Sequence, residues 1–273
     1  MTRRRQSFLD PILTVLTWMG TLVMSAPIAW MILTSFKTEQ DAVSYPPKFF
    51  FTPTLEHYRR IFENDFASFA MVSVVVTLVS TAIVMVLAVP AAYALTVRPV
   101  PKWRDVLFFF ISTKMMPIAA GIVPIYLVAR SLELLNTSTV LIILYTSMNL
   151  PLAIWMIRSF MVEIPRDVFD AVEVDGAGRL REMVQIIVPL IKPGLASTAL
   201  LCAIFAWNEF FLAVNLTTTV STLPVFLQKF LSFGQLYTAQ VAAVATLINI
   251  PVVVAGWLAQ KSLTRGLTFG AVK

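Results

Sequence analysis

The sequence has little of the chemistry that builds metal sites and covalent cross-links. Among its 273 residues there is one cysteine, Cys202, and one histidine, His57. A disulfide within the chain needs two cysteines, and zinc or iron–sulfur sites usually take several Cys and His ligands. These counts exclude a disulfide framework and leave no candidate metal site. Cys202 lies in an apolar run, where we expect it to pack as a small hydrophobic residue.

Charged residues are also scarce, at 13% of the chain, whereas hydrophobic residues make up 58%. Soluble domains carry about 25% charged and about 45–50% apolar residues. This chain therefore has too few charges to cover a water-exposed surface, and it is too apolar to be disordered. Its net charge of +6 is scattered between apolar runs. That pattern argues against a nucleic-acid partner and fits basic loops beside a lipid bilayer.

What the sequence does contain is six long apolar runs, each near the length of about 20 residues that a spanning helix needs. They lack the alternation of an outer-membrane barrel. We predict an all-α membrane protein with six transmembrane helices in residues 11–261, a cytoplasmic N-terminus at 1–10 and a cytoplasmic tail at 262–273. The runs cover residues 11–36, 68–97, 106–129, 138–157, 194–216 and 239–260.

The distribution of basic residues predicts the orientation of these helices. With both termini in the cytoplasm, 14 of the 21 Lys and Arg residues lie in inner segments and six in outer ones, while Lys114 lies within the third span. An excess of basic residues marks the cytoplasmic side. The arginines at positions 3–5 also resemble the start of a signal peptide. Because the first run continues well past a possible cleavage site at 23–25, we expect a retained anchor.

Two further features of the sequence predict local structure, one in the third span and one in the first outer loop. Pro117, Gly121 and Pro124 cluster on the third span, which makes it the span most prone to bend or break. In the first outer loop, residues 37–67, Leu55, Tyr58 and Phe62 have helical spacing. This spacing predicts a short helix lying on the outer surface through those three side chains. His57 has no partner at metal-ligand spacing, so we expect a solvated loop histidine.

The segment from residue 164 to residue 194 has the pattern of two short helices lying beneath the membrane. In the first, residues 166–174, Phe169 and Val172 fall on one side and Asp170 and Glu173 on the other. A break at 175–178 follows, where Gly176 can adopt a positive φ and Asp175 can cap the next helix. An apolar stripe then continues to Pro189. A simple amphipathic linker would share most of these features.

The same segment resembles the cytoplasmic loop of permease subunits in ATP-binding-cassette (ABC) importers. That family pattern has an acidic residue, two alanines, a glycine four positions after the second alanine, and an Ile-x-Leu-Pro ending. Here it reads Asp170-Ala171-Val172, then Gly176, then Ile186 to Pro189. The departures are Asp for Glu at 170, Val for Ala at 172 and Val for Leu at 188. The charge, the small residue at 171 and the Gly and Pro positions are kept.

Three other segments extend the resemblance along the chain. Thr54 to Phe62 is similar to the first outer loop of carbohydrate-importer permeases, Ala206 to Phe210 to their fifth-span motif, and Arg265 to Lys273 to their C-terminal tail. Together they resemble the shorter, six-span subunit of a maltose-type permease pair. Among such subunits the chain looks most like those importing sorbitol or mannitol.

The resemblance implies a type I ABC importer permease in the bacterial cytoplasmic (inner) membrane. Its implied partners are a second permease subunit in a heterodimer, an ATPase homodimer and an extracytoplasmic substrate-binding protein. The chain has no G-x-x-x-x-G-K-[ST] phosphate loop, so we expect it to be no enzyme and to leave ATP and Mg²⁺ to the ATPase. The segment 165–192 is implied to dock that ATPase. The coupling residues that we predict are Asp170, Ala171, Glu173, Asp175 and Gly176.

Lys114, Asn208 and Glu209 are the residues that we predict to line the translocation pathway. At a rise of 1.5 Å per residue, Lys114 lies about 13–14 Å along the third span and Glu209 about 24 Å along the fifth. This difference in depth argues against a direct ion pair. A charge within a span rarely faces lipid, so both side chains should face the bundle interior. The alternative is that both bond to backbone near the kinks at Pro117 and only hold helices together.

Other function classes remain open from the residues alone. A secondary transporter or a channel subunit for a small polar solute would share the six spans, although such transporters usually show repeats and more intramembrane charges. A membrane-embedded enzyme would need a nucleophile or metal constellation that one His and one Cys do not supply. A scaffold protein is a further alternative. An ATPase and a second permease that co-purify with this chain would distinguish the importer from all of them.

Overall fold

The computed structural model describes residues 9–97, 100–231 and 237–269. Within these ranges the chain is helical and contains no strand. The three arginines at positions 3–5 and the tail residues 270–273 lie outside the described residues. The helices are α1 (Leu9–Ser35), α2 (Glu39–Ala42), α3 (Glu56–Glu63), α4 (Phe66–Thr96), α5 (Trp103–Met115), α6 (Ile118–Ser131), α7 (Ser138–Val162), α8 (Arg166–Val174), α9 (Arg179–Arg181), a π-helical segment (Glu182–Ile187), α10 (Val188–Leu190), α11 (Lys192–Trp207), α12 (Phe211–Leu216), α13 (Leu223–Leu231) and α14 (Thr238–Phe269).

Four of these helices, α1, α4, α7 and α14, are long and apolar enough to cross a membrane. Two bent pairs also qualify: α5 with α6, at 94°, and residues 179–190 with α11, at 82°. If each pair is one span, the described residues hold six, which agrees with the predicted all-α, six-span fold. The last helix continues to Phe269, beyond the predicted end of the sixth span.

The bend in the third span lies where the prolines predicted it. Helix α5 ends at Met115, and Pro117 precedes the first residue of α6 with φ −63° and ψ 122°. Proline has no N–H to donate, and it pushes the residue before it into extended conformation; Met116 accordingly has ψ 126°. Pro124, by contrast, lies inside α6 without ending it.

The chain divides into two compact units, residues 1–65 with 227–250 and residues 66–226 with 251–273. In the second unit α4, α7 and α11 pack around two apolar clusters, one near Ala153 and the other near Tyr145. Cys202 is fully buried in the first cluster, which confirms its predicted packing role. Helices α7 and α11 approach closely because Gly194 has no side chain. A Cβ at Gly194 would lie 2.4 Å from the ring of Phe160.

The first unit corrects two expectations about the outer loop. Helix α3 exists as predicted, but its buried side chains are His57 and Ile61, whereas Leu55 and Phe62 are exposed. His57 is not solvated: it is 5% exposed and its Nε2 lies 2.9 Å from the carbonyl oxygen of Lys37. Of the three residues whose spacing predicted this helix, Tyr58 is half-buried and its hydroxyl bonds to that of Ser35. The spacing did not reveal the buried His57, because its partner is a backbone group 20 residues away.

Two carboxylates bond within the same unit. The Glu39 carboxylate accepts the N–H groups of Ala239 and Gln240, at 2.9 and 3.0 Å, at the start of α14. This arrangement satisfies helix N–H groups that have no partner within the helix. The hydrogen bond from Lys48 holds the pKa of the half-buried Asp41 carboxyl below its usual value.

Candidate functional site

The first helix of the segment 165–192 is α8, and its bounds match the prediction. Val172 is buried and Phe169 is half-buried against the apolar cluster near Ala153. Asp170, Ala171 and Glu173 are exposed. The helix therefore presents an acidic face with one small residue, while its apolar face is anchored to the rest of the unit.

A C-terminal capping motif ends α8. The N–H of Ala177 donates to the Val172 carbonyl at 3.2 Å, and the N–H of Gly176 donates to the Glu173 carbonyl at 3.1 Å. This pair of bonds defines the Schellman motif, which places a residue with positive φ after the helix. Gly176 has φ +64°, as predicted, and it is exposed.

The predicted capping role of Asp175 is wrong. Asp175 is the C-cap residue of α8, and its N–H donates to the Ala171 carbonyl. The residue before α9 is Gly178, which has no side chain to cap that helix. The reason is geometric: the left-handed Gly176 turns the chain, so Asp175 stays with the helix behind it.

Residues 179–190 form one continuous helical stretch of α9, the π-helical segment and α10, beyond which α11 begins at an 82° bend. The predicted apolar stripe is divided within it. Ile187 is buried, whereas Leu180 is 71% exposed and Val184 is also exposed. The π turn widens the helix, so a regular 3.6-residue period does not describe which side chains face inwards.

Sequence reasoning missed the buried carboxylate of Glu182. Its side chain is 1% exposed, and the hydroxyl of Tyr93 on α4 donates to its Oε2 at 2.7 Å. In a regular α-helix Glu182 would lie about 140° around the axis from Ile187, five residues on. The π turn instead puts both on the buried side. The available signal was that Glu182 directly precedes a mostly apolar run, residues 183–191.

A recess of about 420 Å³ lies beside α8. The ends of α4 and α7 form part of its wall through Thr96, Val97, Met161 and Val162, and Arg166, Asp170 and Glu173 contribute charged groups. The recess gives the exposed acidic face of α8 a neighbouring concave surface with polar and apolar parts. Such a surface can receive a protruding partner side chain.

A second cavity, of about 460 Å³, lies at the break of the third span, and we call it the third-span cavity. Lys114, Met116, Ser147, Met148 and Leu212 are among its lining residues. The ammonium group of Lys114 donates to the Met148 carbonyl at 2.8 Å, three residues before Pro151. Lys114 thus bonds to backbone near a proline of α7, rather than near Pro117.

Glu209 lies between α11 and α12, two residues after the end of α11. Its carboxylate accepts the N–H groups of Leu212 at 2.8 Å and Ala213 at 3.2 Å, and it is buried. Asn208 is exposed and donates to the Ile204 carbonyl of its own helix at 2.8 Å. Lys114 and Glu209 therefore bond to separate backbone groups, although Leu212, which binds Glu209, also lines the third-span cavity.

Comparison with known proteins agrees with this geometry. Residues 85–265 match the family described as the inner membrane component of binding-protein-dependent transport systems. A probable ABC transporter permease of Sinorhizobium fredii is 37% identical over 90% of each chain. A trehalose transport system permease protein of Mycobacterium tuberculosis is 36% identical over 90% of this chain and 92% of its own. These relatives are permeases, so the chain is a membrane transport subunit and not an enzyme.

The fold also matches a chain in the crystal structure of a bacterial ABC transporter involved in alginate import, with a TM-score of 0.75. The match covers 95% of this chain and 99% of that one at 24% identity, which supports the fold alone. The family match and the two relatives confirm the resemblance that the cytoplasmic loop indicated. The chain belongs to the family of inner membrane components of binding-protein-dependent transport systems, as a multi-pass ABC transporter permease.

Proposed function

We propose that this permease imports a sugar or a sugar alcohol and that its segment 165–192 docks a separate ATPase. The carbohydrate class is supported by the trehalose transport permease, which is similar over nearly its whole length. The sequence also resembles the permease subunits of sorbitol and mannitol importers, so the proposal includes sugar alcohols.

The observation that carries the docking proposal is the exposed acidic face of α8. Asp170 and Glu173 point away from the apolar anchor formed by Phe169 and Val172. An exposed carboxylate face with a small residue, Ala171, suits close packing in a groove lined with basic side chains. Asp175 and Gly176 end the helix sharply, which keeps the docking surface short.

The remaining parts of the proposed importer are those that the family resemblance implies. A homodimeric ATPase binds ATP and Mg²⁺, a second permease completes the pathway as a heterodimer, and an extracytoplasmic binding protein delivers the substrate. Both termini lie in the cytoplasm, on the same side as the docking segment. Lys114, Asn208 and Glu209 shape this subunit's part of the pathway, with Lys114 lining the third-span cavity.

The test is co-purification with measurement of substrate-stimulated ATP hydrolysis. Asp170→Lys should abolish both ATPase recovery and stimulated hydrolysis, because it reverses the charge at the docking face, and Asp170→Asn should reduce them less. Glu133→Lys makes the same charge change at an exposed turn between α6 and α7 and should leave both unchanged. Full ATPase recovery and stimulated hydrolysis with Asp170→Lys would contradict docking through this face.

The alternative that the residues alone left open, a secondary transporter or channel subunit, disagrees with the family match and would give a different result. In that case no ATPase would be recovered with the wild-type chain, and uptake in vesicles would proceed without ATP.

A further inference from the structure

We propose that the third-span cavity binds a sugar acid, with the Lys114 ammonium group holding the carboxylate of the sugar. This inference rests on the proposed carbohydrate import, and for this site it replaces a neutral sugar or sugar alcohol by a sugar that carries a carboxylate.

The size and position of the cavity suit a small ligand. Its volume of about 460 Å³ lies within the range of about 300–1,000 Å³ typical of small-molecule sites. It lies where the chain breaks between α5 and α6. Irregular backbone at membrane depth is tolerated where it lines a cavity or is buried in protein.

Lys114 has donors left for a ligand. An ammonium group carries three N–H donors, and among the described residues its hydrogen-bond acceptor is the Met148 carbonyl, at 2.8 Å. That bond fixes the lysine against α7, while its side chain remains exposed to the cavity. The other two N–H donors can hold the two oxygens of a carboxylate.

The hydroxyl groups of the cavity complement this donor. Thr113 donates its hydroxyl proton to the Phe110 carbonyl at 2.7 Å, and Ser147 donates to the Ile143 carbonyl at 2.9 Å. Each oxygen keeps lone pairs and can accept a hydrogen bond. The cavity therefore offers acceptors to the hydroxyl groups of a sugar and a cationic donor to its acid group.

The carboxylate bonded to Leu212, a lining residue of the cavity, already has partners of its own. Both oxygens of Glu209 accept backbone N–H groups at the start of α12, so this carboxylate offsets the positive end of that helix. Among the described lining residues, Lys114 is the charged one. The cavity is thus positive, and an anionic ligand would compensate its charge.

The free-energy cost of placing a lysine within a spanning helix also favours an anionic ligand. A charge within a spanning helix is expensive, and such residues mark substrate or ion pathways. A neutral polyol could be held by hydroxyl or amide donors without that cost. An ammonium group is justified when the ligand carries the opposite charge.

The experiment compares glucuronate with glucose, which differ in a carboxylate and a CH₂OH group at one carbon. Binding of each is measured by saturation-transfer NMR and titration on the purified complex in lipid nanodiscs, without the binding protein. We expect glucuronate to bind at least tenfold more tightly than glucose. Lys114→Gln should remove this preference, and Lys114→Arg should keep most of it.

Three results would overturn the proposal. The first is no preference for glucuronate in the wild type, including undetectable binding of both sugars. The second is unchanged glucuronate binding by Lys114→Gln. The third is failure of the Lys114→Gln complex to assemble, which would make Lys114 a structural partner of the second permease. Co-purification of an ATPase with the wild-type chain is a separate measurement. A negative result for sugar binding would therefore not contradict the proposed import function.

Discussion

At the scale of single residues, Gly194 shows how one missing side chain sets a helix contact. Gly194→Ala would place a methyl group 2.4 Å from the Phe160 ring, and α7 and α11 would have to separate. We expect a loss of about 1–3 kcal/mol in stability, as for other overpacked cores, seen as a lower midpoint of thermal unfolding in detergent. Gly20→Ala, where no atom lies within 4 Å of the new methyl group, is the control and should unfold near the wild-type midpoint.

Gly176 is required for its backbone conformation rather than for space. A Cβ there would meet no atom within 4 Å, but the residue has φ +64°. Left-handed backbone costs an L-residue about 1–2 kcal/mol, and more for a β-branched side chain. Gly176→Val should therefore reduce uptake by about tenfold at equal expression. Gly176→Asn, a residue that tolerates this conformation, should retain most uptake; equal uptake by both variants would contradict the explanation.

At the scale of elements, the bond between Tyr93 and Glu182 connects α4 to the π-helical segment, which lies in the second half of the segment 165–192 that we propose to dock an ATPase. Tyr93→Phe removes the donor to a buried carboxylate, which costs about 1–3 kcal/mol. If the bond transmits movement of the segment to the spans, the variant should hydrolyse more ATP per substrate molecule imported. Tyr126→Phe, on the exposed side of α6, is the matched control. An unchanged ratio with a lower unfolding midpoint would leave the bond a purely structural role.

Glu209 acts on a second element, the short helix α12. Glu209→Leu removes both acceptors for the N–H groups of Leu212 and Ala213, a cost of about 0.5–2 kcal/mol by comparison with lost helix caps. Glu209→Gln keeps one acceptor and should lose less. We expect the unfolding midpoint and the uptake to fall most in Glu209→Leu and less in Glu209→Gln. Asn208→Leu, which affects a bond within α11 only, should change the midpoint little; a Leu variant at position 209 as stable as wild type would refute the capping role.

At the scale of the whole molecule, we predict that the C-terminal tail takes part in the proposed coupling to an ATPase. The backbone of α14 is helical as far as Phe269, and the last nine residues resemble a tail that reaches the ATPase interface. Deleting residues 266–273 should lower substrate-stimulated ATP hydrolysis while the subunit remains in the membrane. Unchanged hydrolysis would show that the tail is a frayed end without a role in coupling.

The sequence alone was sufficient for features that depend on local chemistry. Six apolar runs predicted the spans because a bilayer requires long apolar helices. Pro117 predicted the break in the third span because proline lacks a donor, and Gly176 predicted a positive φ because glycine has no Cβ. The amphipathic pattern of residues 166–174 gave α8 with its observed bounds. Each of these depends on residues within one continuous segment of the chain.

Only the tertiary structure decided where the polar side chains inside the bundle find their partners. Glu182 is bonded to Tyr93, 89 residues earlier, and a π turn that the residue pattern does not reveal turns it inwards. His57 is buried against the Lys37 backbone, and the exposed Lys114 donates to a backbone carbonyl of α7. Burying a polar group is costly unless a partner is supplied. That partner can come from any distance along the chain, so packing determines it rather than local sequence.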